Sequence, residues 1–318
     1  MGIFEKIRSH AAIASGNFAS MFKNIEVPPL PAVATRLISE FNRAEPDMQE
    51  ITKIISSDLE ISSKVIRTVN SSLFGLPNQI KSIQQAIPLL GLRSIRTIAL
   101  SYAMKKSLPK PSGKLFNHEA FWADSLARAL LARSLTHYFR PGEKDEVFTA
   151  MLLADIALPV LLSVWSDYYS PIFSQWRDNC ERLSQIERKD FGWDHAQAGA
   201  WILKSWDFPD EFVCLVGVHN LTIDELQNLG LENSIALPLA VASLLPSVLK
   251  PDEKRAQLMN ETIMNSFAMS EDYFRNMVAD IQFSFAEMRD QFDLRDQKFN
   301  VFELVLNCTN WVSEEQKA

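Results

Sequence analysis

The chain has 318 residues, 47% hydrophobic and 22% charged, with a formal net charge of −7 and a pI near 5.4. Such a composition suits one large folded domain or two smaller ones, and the acidic balance argues against non-specific nucleic-acid binding. The three cysteines, Cys180, Cys214 and Cys308, lie far apart. Their spacing excludes a disulfide framework and a cysteine-built zinc site, and it fits a reducing, cytoplasmic compartment.

The first residues mix charges of both signs and read as no signal peptide. No apolar run is expected to reach the roughly 20 residues of a membrane helix, so no membrane contact is expected. Glycine is scarce, at 10 residues, and alternating β-branched runs are absent. The chain is therefore expected to be all-α.

Residues 1–21 read as a helical extension carrying Ile3, Phe4 and Ile7 on one face. Pro28, Pro29 and Pro31 then hold the chain extended until Pro31 starts a helix with Val33, Leu37, Ile38 and Phe41. A short helix after Asp47 carries Ile51, Ile54 and Ile55. Asp58 is the natural N-cap of the next, which carries Ile61, Val65, Ile66 and Val69. A turn-rich stretch, 73–80, leads to Ser82, which with Gln85 forms a capping box. Gly91 interrupts the helix that follows. The pair of helices around it resembles a DNA-reading helix-turn-helix, but the net charge disagrees.

The residues so far carry a family resemblance. Val27-Pro28-Pro29-Leu30-Pro31, Asp58 opening a helix that ends at Asn70-Ser71, Phe74-Gly75-Leu76-Pro77, and the run from Ile80 to Leu92 together resemble the HDOD domain. The resemblance implies a helical relative of the HD phosphohydrolases, found in bacterial signalling proteins and generally lacking a complete metal site. It covers residues 22–220, divided at the Pro-rich stretch Ser107–Gly113 into a subdomain over 22–106 and an HD-like one over 114–220. Residues 221–318 form a further helical region, with one helix expected over Leu237–Leu249 and two or three more beyond Pro251.

Between Lys81 and Lys114 the charged residues are all positive: Lys81, Arg93, Arg96, Lys105, Lys106, Lys110 and Lys114. Lys81, Arg93, Arg96, Lys105 and Lys106 are expected to offer a basic face to an acidic partner or anionic ligand; the plain alternative is a solvated helix face.

The helix from about Glu119 aligns Ala123, Ala127, Leu131, Leu135 and Phe139. In the next, Phe148, Met151, Leu152 and Ile156 make a buried stripe, and Asp155 lies beside it. A carboxylate there must be paired, hydrogen-bonded or metal-bound. Pro159 has no amide proton for the Asp155 carbonyl, so the helix is expected to break just past the acid. Asp194 reads as an N-cap boxed with Gln197, which puts His195 in a first helical turn, where the dipole disfavours imidazolium.

HD enzymes hold one or two metal ions on histidines and carboxylates, which acidify a bound water and clamp a phosphate. Set on that pattern by the resemblance, the first histidine position falls on Asp124. The histidine of the His-Asp pair falls on Ala154, which leaves Asp155. The following glycine falls on Ala157, and the distal acid falls near Ser243. His195 and His219 stand where some relatives place auxiliary ligands. Asp124, Asp155, His195 and His219 are thus vestigial ligand positions, and neither metal nor cofactor is expected. Asp124 has a ready partner in Arg128, one helical turn on. No Ser-His-Asp or Cys-His arrangement and no Gly-rich phosphate loop can be read.

The resulting expectation is a non-catalytic regulatory module that binds a signalling protein or a nucleotide, without DNA. The alternative is a divergent metal-dependent phosphohydrolase.

Overall fold

The computed structural model describes residues 27–111, 115–179, 181–294 and 300–308. The expected extension over residues 1–21, Lys114 and Cys180 lie outside them.

The described residues are helical, with no strand named among them. Helices α1 (Ala32–Phe41), α2 (Met48–Ser56) and α3 (Leu59–Val69) pack on the long α4 (Ile83–Ser107). Asp47 and Asp58 cap α2 and α3, each accepting two backbone N–H groups. Only half of the expected box at Ser82 forms: Ser82 Oγ accepts from Gln85 N, but Gln85 Oε1 takes the amide of Lys81 rather than that of Ser82. Gly91 bends α4 with φ 82° and ψ 151°, a conformation that a side chain would oppose.

The central element is α5 (His118–Phe139). Its expected stripe is buried from Ala123 to Leu135 and half-buried at Phe139, but Trp122, Leu126 and Leu130 on other faces are buried too, which puts the helix in the middle of the molecule. Against it packs α6 (Lys144–Leu152), followed after a turn by α7 (Ala157–Val164). Next come α8 (Ser166–Asp178), α9 (Leu183–Phe191), α10 (His195–Ser205), α11 (Asp210–Val218) and α12 (Ile223–Leu229). The last are α13 (Ala236–Ala242), α14 (Glu253–Phe267), α15 (Glu271–Met288) and α16 (Val301–Asn307). Of these, α13 and α15 lie against α5, so the C-terminal region joins the same body.

Two expectations need correction. The helix expected over Leu237–Leu249 stops at Ala242, because Pro246 disfavours helical backbone at Leu245 and the chain leaves in turns. The segment Pro141–Val164 is, by length and composition, long and apolar enough to cross a membrane, with mean hydropathy 2.2 over its best window. Here 89% of that window is buried inside the protein, and the segment is broken by the turn after Leu152. Its apolar faces meet α5, α10 and α11.

Candidate functional site

Asp155 sits inside the break between α6 and α7, not before it: the turn spans Leu153–Ile156. The Asp155 carbonyl, denied a partner at Pro159, accepts instead from Leu158 N at 3.0 Å. The turn is held from behind by α10, which approaches so closely at Gly199 that a Cβ there would lie 3.1 Å from Val216 Cγ1 and 3.4 Å from the Ala154 carbonyl oxygen. The small residues of α10 thus set the depth of the acid.

The Asp155 side chain is buried and fully engaged. Arg128 Nη1 on α5 donates to Oδ2 at 2.7 Å, and the Nε2 atoms of His195 and His219 both lie 3.2 Å from Oδ1. The far side of each ring is also held. His195 Nδ1 lies 2.6 Å from Glu187 Oε2, and His219 Nδ1 lies 2.7 Å from the Val216 carbonyl oxygen. Glu187, with no exposed surface, also accepts from the His195 backbone N–H at 2.9 Å and from the Tyr169 hydroxyl. Asn220 Nδ2 lies 2.8 Å from His195 Nε2.

These contacts reverse one expectation. Asp194 and Gln197 do box the start of α10, with His195 as its first residue. Burial acts against a charged His195, but the Glu187 and Asp155 carboxylates outweigh burial and hold its pKa up at about 10. Full charges in contact exceed the partial charge of a helix end. Burial likewise opposes a charged Asp155, yet hydrogen bonds from His195 and His219, with Arg128 beside it, keep its pKa well below the usual range.

Asp124 is diverted. The partner expected for it, Arg128, reaches across to Asp155. Asp124 Oδ1 accepts the Val248 N–H at 2.7 Å, and burial raises its pKa. Three of the four positions expected to be vestigial therefore converge: Asp155, His195 and His219 bring one donor atom each to within 4.8 Å of one another. Ligands about 2.1 Å from an ion and at right angles to each other sit about 3 Å apart, close to the spacings here. Such an ion would polarise a phosphate oxygen and acidify a bound water. A second ion does not fit, because Arg128 holds Oδ2, Asp124 serves the backbone and Ala154 offers no donor.

The expected basic face is also corrected. Arg93 pairs with Glu146 and Glu211, both at 2.7 Å. Arg96 is buried, its guanidinium 3.6 Å above the Phe41 ring and donating to the Glu40 carbonyl. Lys105 meets Asp293 at 2.7 Å, and Lys106 meets Asp58 at 3.0 Å and Glu60 at 3.2 Å. Lys81 is exposed. Acids absent from the local sequence arrive from other helices, so no open cationic face forms from these five residues. Sequence reasoning also missed Glu187, Tyr169, Asn220 and the true role of Arg128. No spacing signals them, since each reaches the site from a different element.

Comparison with known proteins gives the chain its kin. It is 28% identical over 193 residues to YuxH of Bacillus subtilis, an uncharacterized protein. That match covers 52% of this chain and 46% of YuxH, so the chain spans under half the length of the curated relatives it matches. Two solved structures share its fold at 20% identity. One is an HDOD domain protein of unknown function from Geobacter sulfurreducens, with TM-score 0.65, covering 90% of this chain and 98% of that one. The other, from Shewanella amazonensis, is provisionally assigned as a metal-dependent phosphohydrolase, with TM-score 0.63, covering 89% and 99%. The HDOD domain family model matches residues 27–221, well over half of the sequence, and the chain belongs to the HDOD family.

Proposed function

We propose that this protein is a non-catalytic regulatory module of bacterial signalling, acting in the cytoplasm by binding a protein partner or a nucleotide on an HD-like helical scaffold. The observation that carries the reading is the 2.7 Å ion pair between Arg128 and Asp155. A fixed guanidinium occupies one oxygen of the acid that an HD enzyme would give wholly to metal. Losing ligands weakens both the affinity and the geometry of a metal centre. The alternative, a divergent metal-dependent phosphodiesterase, draws on the convergence of Asp155, His195 and His219.

Elemental analysis of the purified chain, beside a bis(p-nitrophenyl) phosphate assay with added Mn²⁺ or Fe²⁺, separates the two. We expect substoichiometric metal and no turnover. Stoichiometric metal with turnover that Asp155→Ala abolishes would overturn the regulatory reading.

A further inference from the structure

A cavity of about 340 Å³ has Asp155 and His195 in its wall. Five cations also line it: Arg128, Arg177, Arg182, Lys250 and Arg255, against the carboxylates of Asp124 and Asp155. In a chain of net charge −7 this is a local reversal of sign. Among the described residues, only Arg128 of the five forms a salt bridge.

Arg182 and Arg255 turn instead to the end of α13. Arg182 Nη2 donates to Ser243 Oγ at 3.1 Å; Arg255 donates through Nη2 to the Ser243 carbonyl at 2.5 Å and through Nε to that of Leu244 at 3.0 Å. Arg128 reaches the neighbouring Leu245 carbonyl at 3.3 Å. A helix C-terminus carries only about half an elementary charge, too little to neutralise the guanidinium groups of Arg182 and Arg255, while Arg128 is already paired with Asp155. Burial, with Arg128 and Arg182 nearby, pushes the Arg255 pKa down to about 9. A guanidinium has five N–H donors, so both Arg182 and Arg255 keep donors to spare.

The other wall is aromatic. Phe116 stands 6.3 Å from Phe173 and 5.4 Å from Phe121, and Phe173 stands 5.1 Å from Trp176, ring centroid to centroid. Lys250 joins the two walls, its ammonium 5.6 Å from the Trp176 ring and bonded to the Trp176 carbonyl at 2.8 Å.

We infer that this cavity binds an aromatic phosphomonoester of mononucleotide size, its phosphate on Arg182 and Arg255 and its ring against Phe116, Phe173 and Trp176. The inference rests on reading the site as a binding site rather than a catalytic one. A phosphomonoester carries about 1.5 to 2 negative charges at neutral pH, which matches two unpaired guanidinium groups, and Arg binds it bidentately. The volume lies near the lower end of the roughly 300–1,000 Å³ usual for ligand pockets, enough for one nucleotide but not two joined. Every base has a π-face, so stacking secures the ring without fixing which base is preferred.

The test is isothermal titration of the full chain, in buffer containing EDTA, with the four common nucleoside 5′-monophosphates, their parent nucleosides and inorganic phosphate. At least one monophosphate should saturate the protein, and its nucleoside and free phosphate should bind at least about tenfold more weakly. Arg182→Gln should weaken the monophosphate roughly tenfold to a hundredfold, as expected for a lost charge-assisted contact. Arg255→Gln should do the same, and Trp176→Leu should weaken the monophosphate but not inorganic phosphate. Should Arg255→Gln fail to fold, Arg182→Gln still decides. No saturation by any monophosphate, or binding that Arg182→Gln leaves unchanged, would overturn the inference. Binding together with turnover on added metal would keep the ligand class and remove the regulatory reading. No binding and no turnover would remove the ligand class alone.

Discussion

Replacing Asp155 with Ala removes a buried carboxylate that Arg128, His195 and His219 all face. Arg128 would keep the Leu245 carbonyl but lose the one salt bridge it makes among the described residues, and His195 would retain Glu187 as its carboxylate partner, with Asn220 beside it. Breaking a buried pair by removing one partner costs about 3–5 kcal/mol, since the remaining charge stays desolvated. At about 2.1 cal/mol/K per residue the 318-residue chain has an unfolding entropy of roughly 0.7 kcal/mol/K, so each kcal/mol shifts Tm by about 1.5 °C and Asp155→Ala should melt roughly 4–8 °C lower. Differential scanning calorimetry in buffer with EDTA reads this without interference from metal. The double variant Asp155→Leu with Arg128→Met should recover much of the loss, because it leaves no orphaned charge between the two sites. Two results would refute the reasoning: an Asp155→Ala protein melting within about 2 °C of the parent, or single and double variants whose losses simply add. Either would mean that the acid is not neutralised by Arg128.

Other consequences can be checked separately. The folded pKa of His195, about 10, lies above its ordinary 6.5, so the stability it contributes is fully present below pH 6.5 and is lost as pH rises towards 10. Denaturant midpoints in EDTA should therefore fall across that window by the equivalent of a few kcal/mol, and His195→Asn should flatten the profile. Gly199→Val should destabilise by about 1–3 kcal/mol in urea titrations, because its side chain would meet Val216 and the Ala154 carbonyl. A fall below about 0.5 kcal/mol would show that α10 can back away at little cost. Arg96→Ala should lose about 1–3 kcal/mol, since it removes a buried donor from the Glu40 carbonyl and the cation over Phe41. A neutral effect would return Arg96 to the surface role expected from sequence.

Much of the scaffold was readable in advance because its causes are local. Caps at Asp58 and Asp194 and the break enforced by Pro159 depend on a few residues each and on the 3.6-residue period of a helix. The need for a partner at Asp155 was equally plain, because a carboxylate on an apolar stripe cannot go unanswered. What answers it was not plain. Arg128 is 27 residues away in the chain, His219 is 64, and Glu187 reaches His195 from a different helix. The same distance in sequence brought Glu146, Glu211, Asp58 and Asp293 onto a run of cations that looked unopposed. Electrostatic partners are chosen by nearness in space and by how little water lies between them. The one-dimensional order of residues therefore determined where charge would be buried, and only the packing of α5, α9, α10 and α11 around one turn decided which charge would neutralise it.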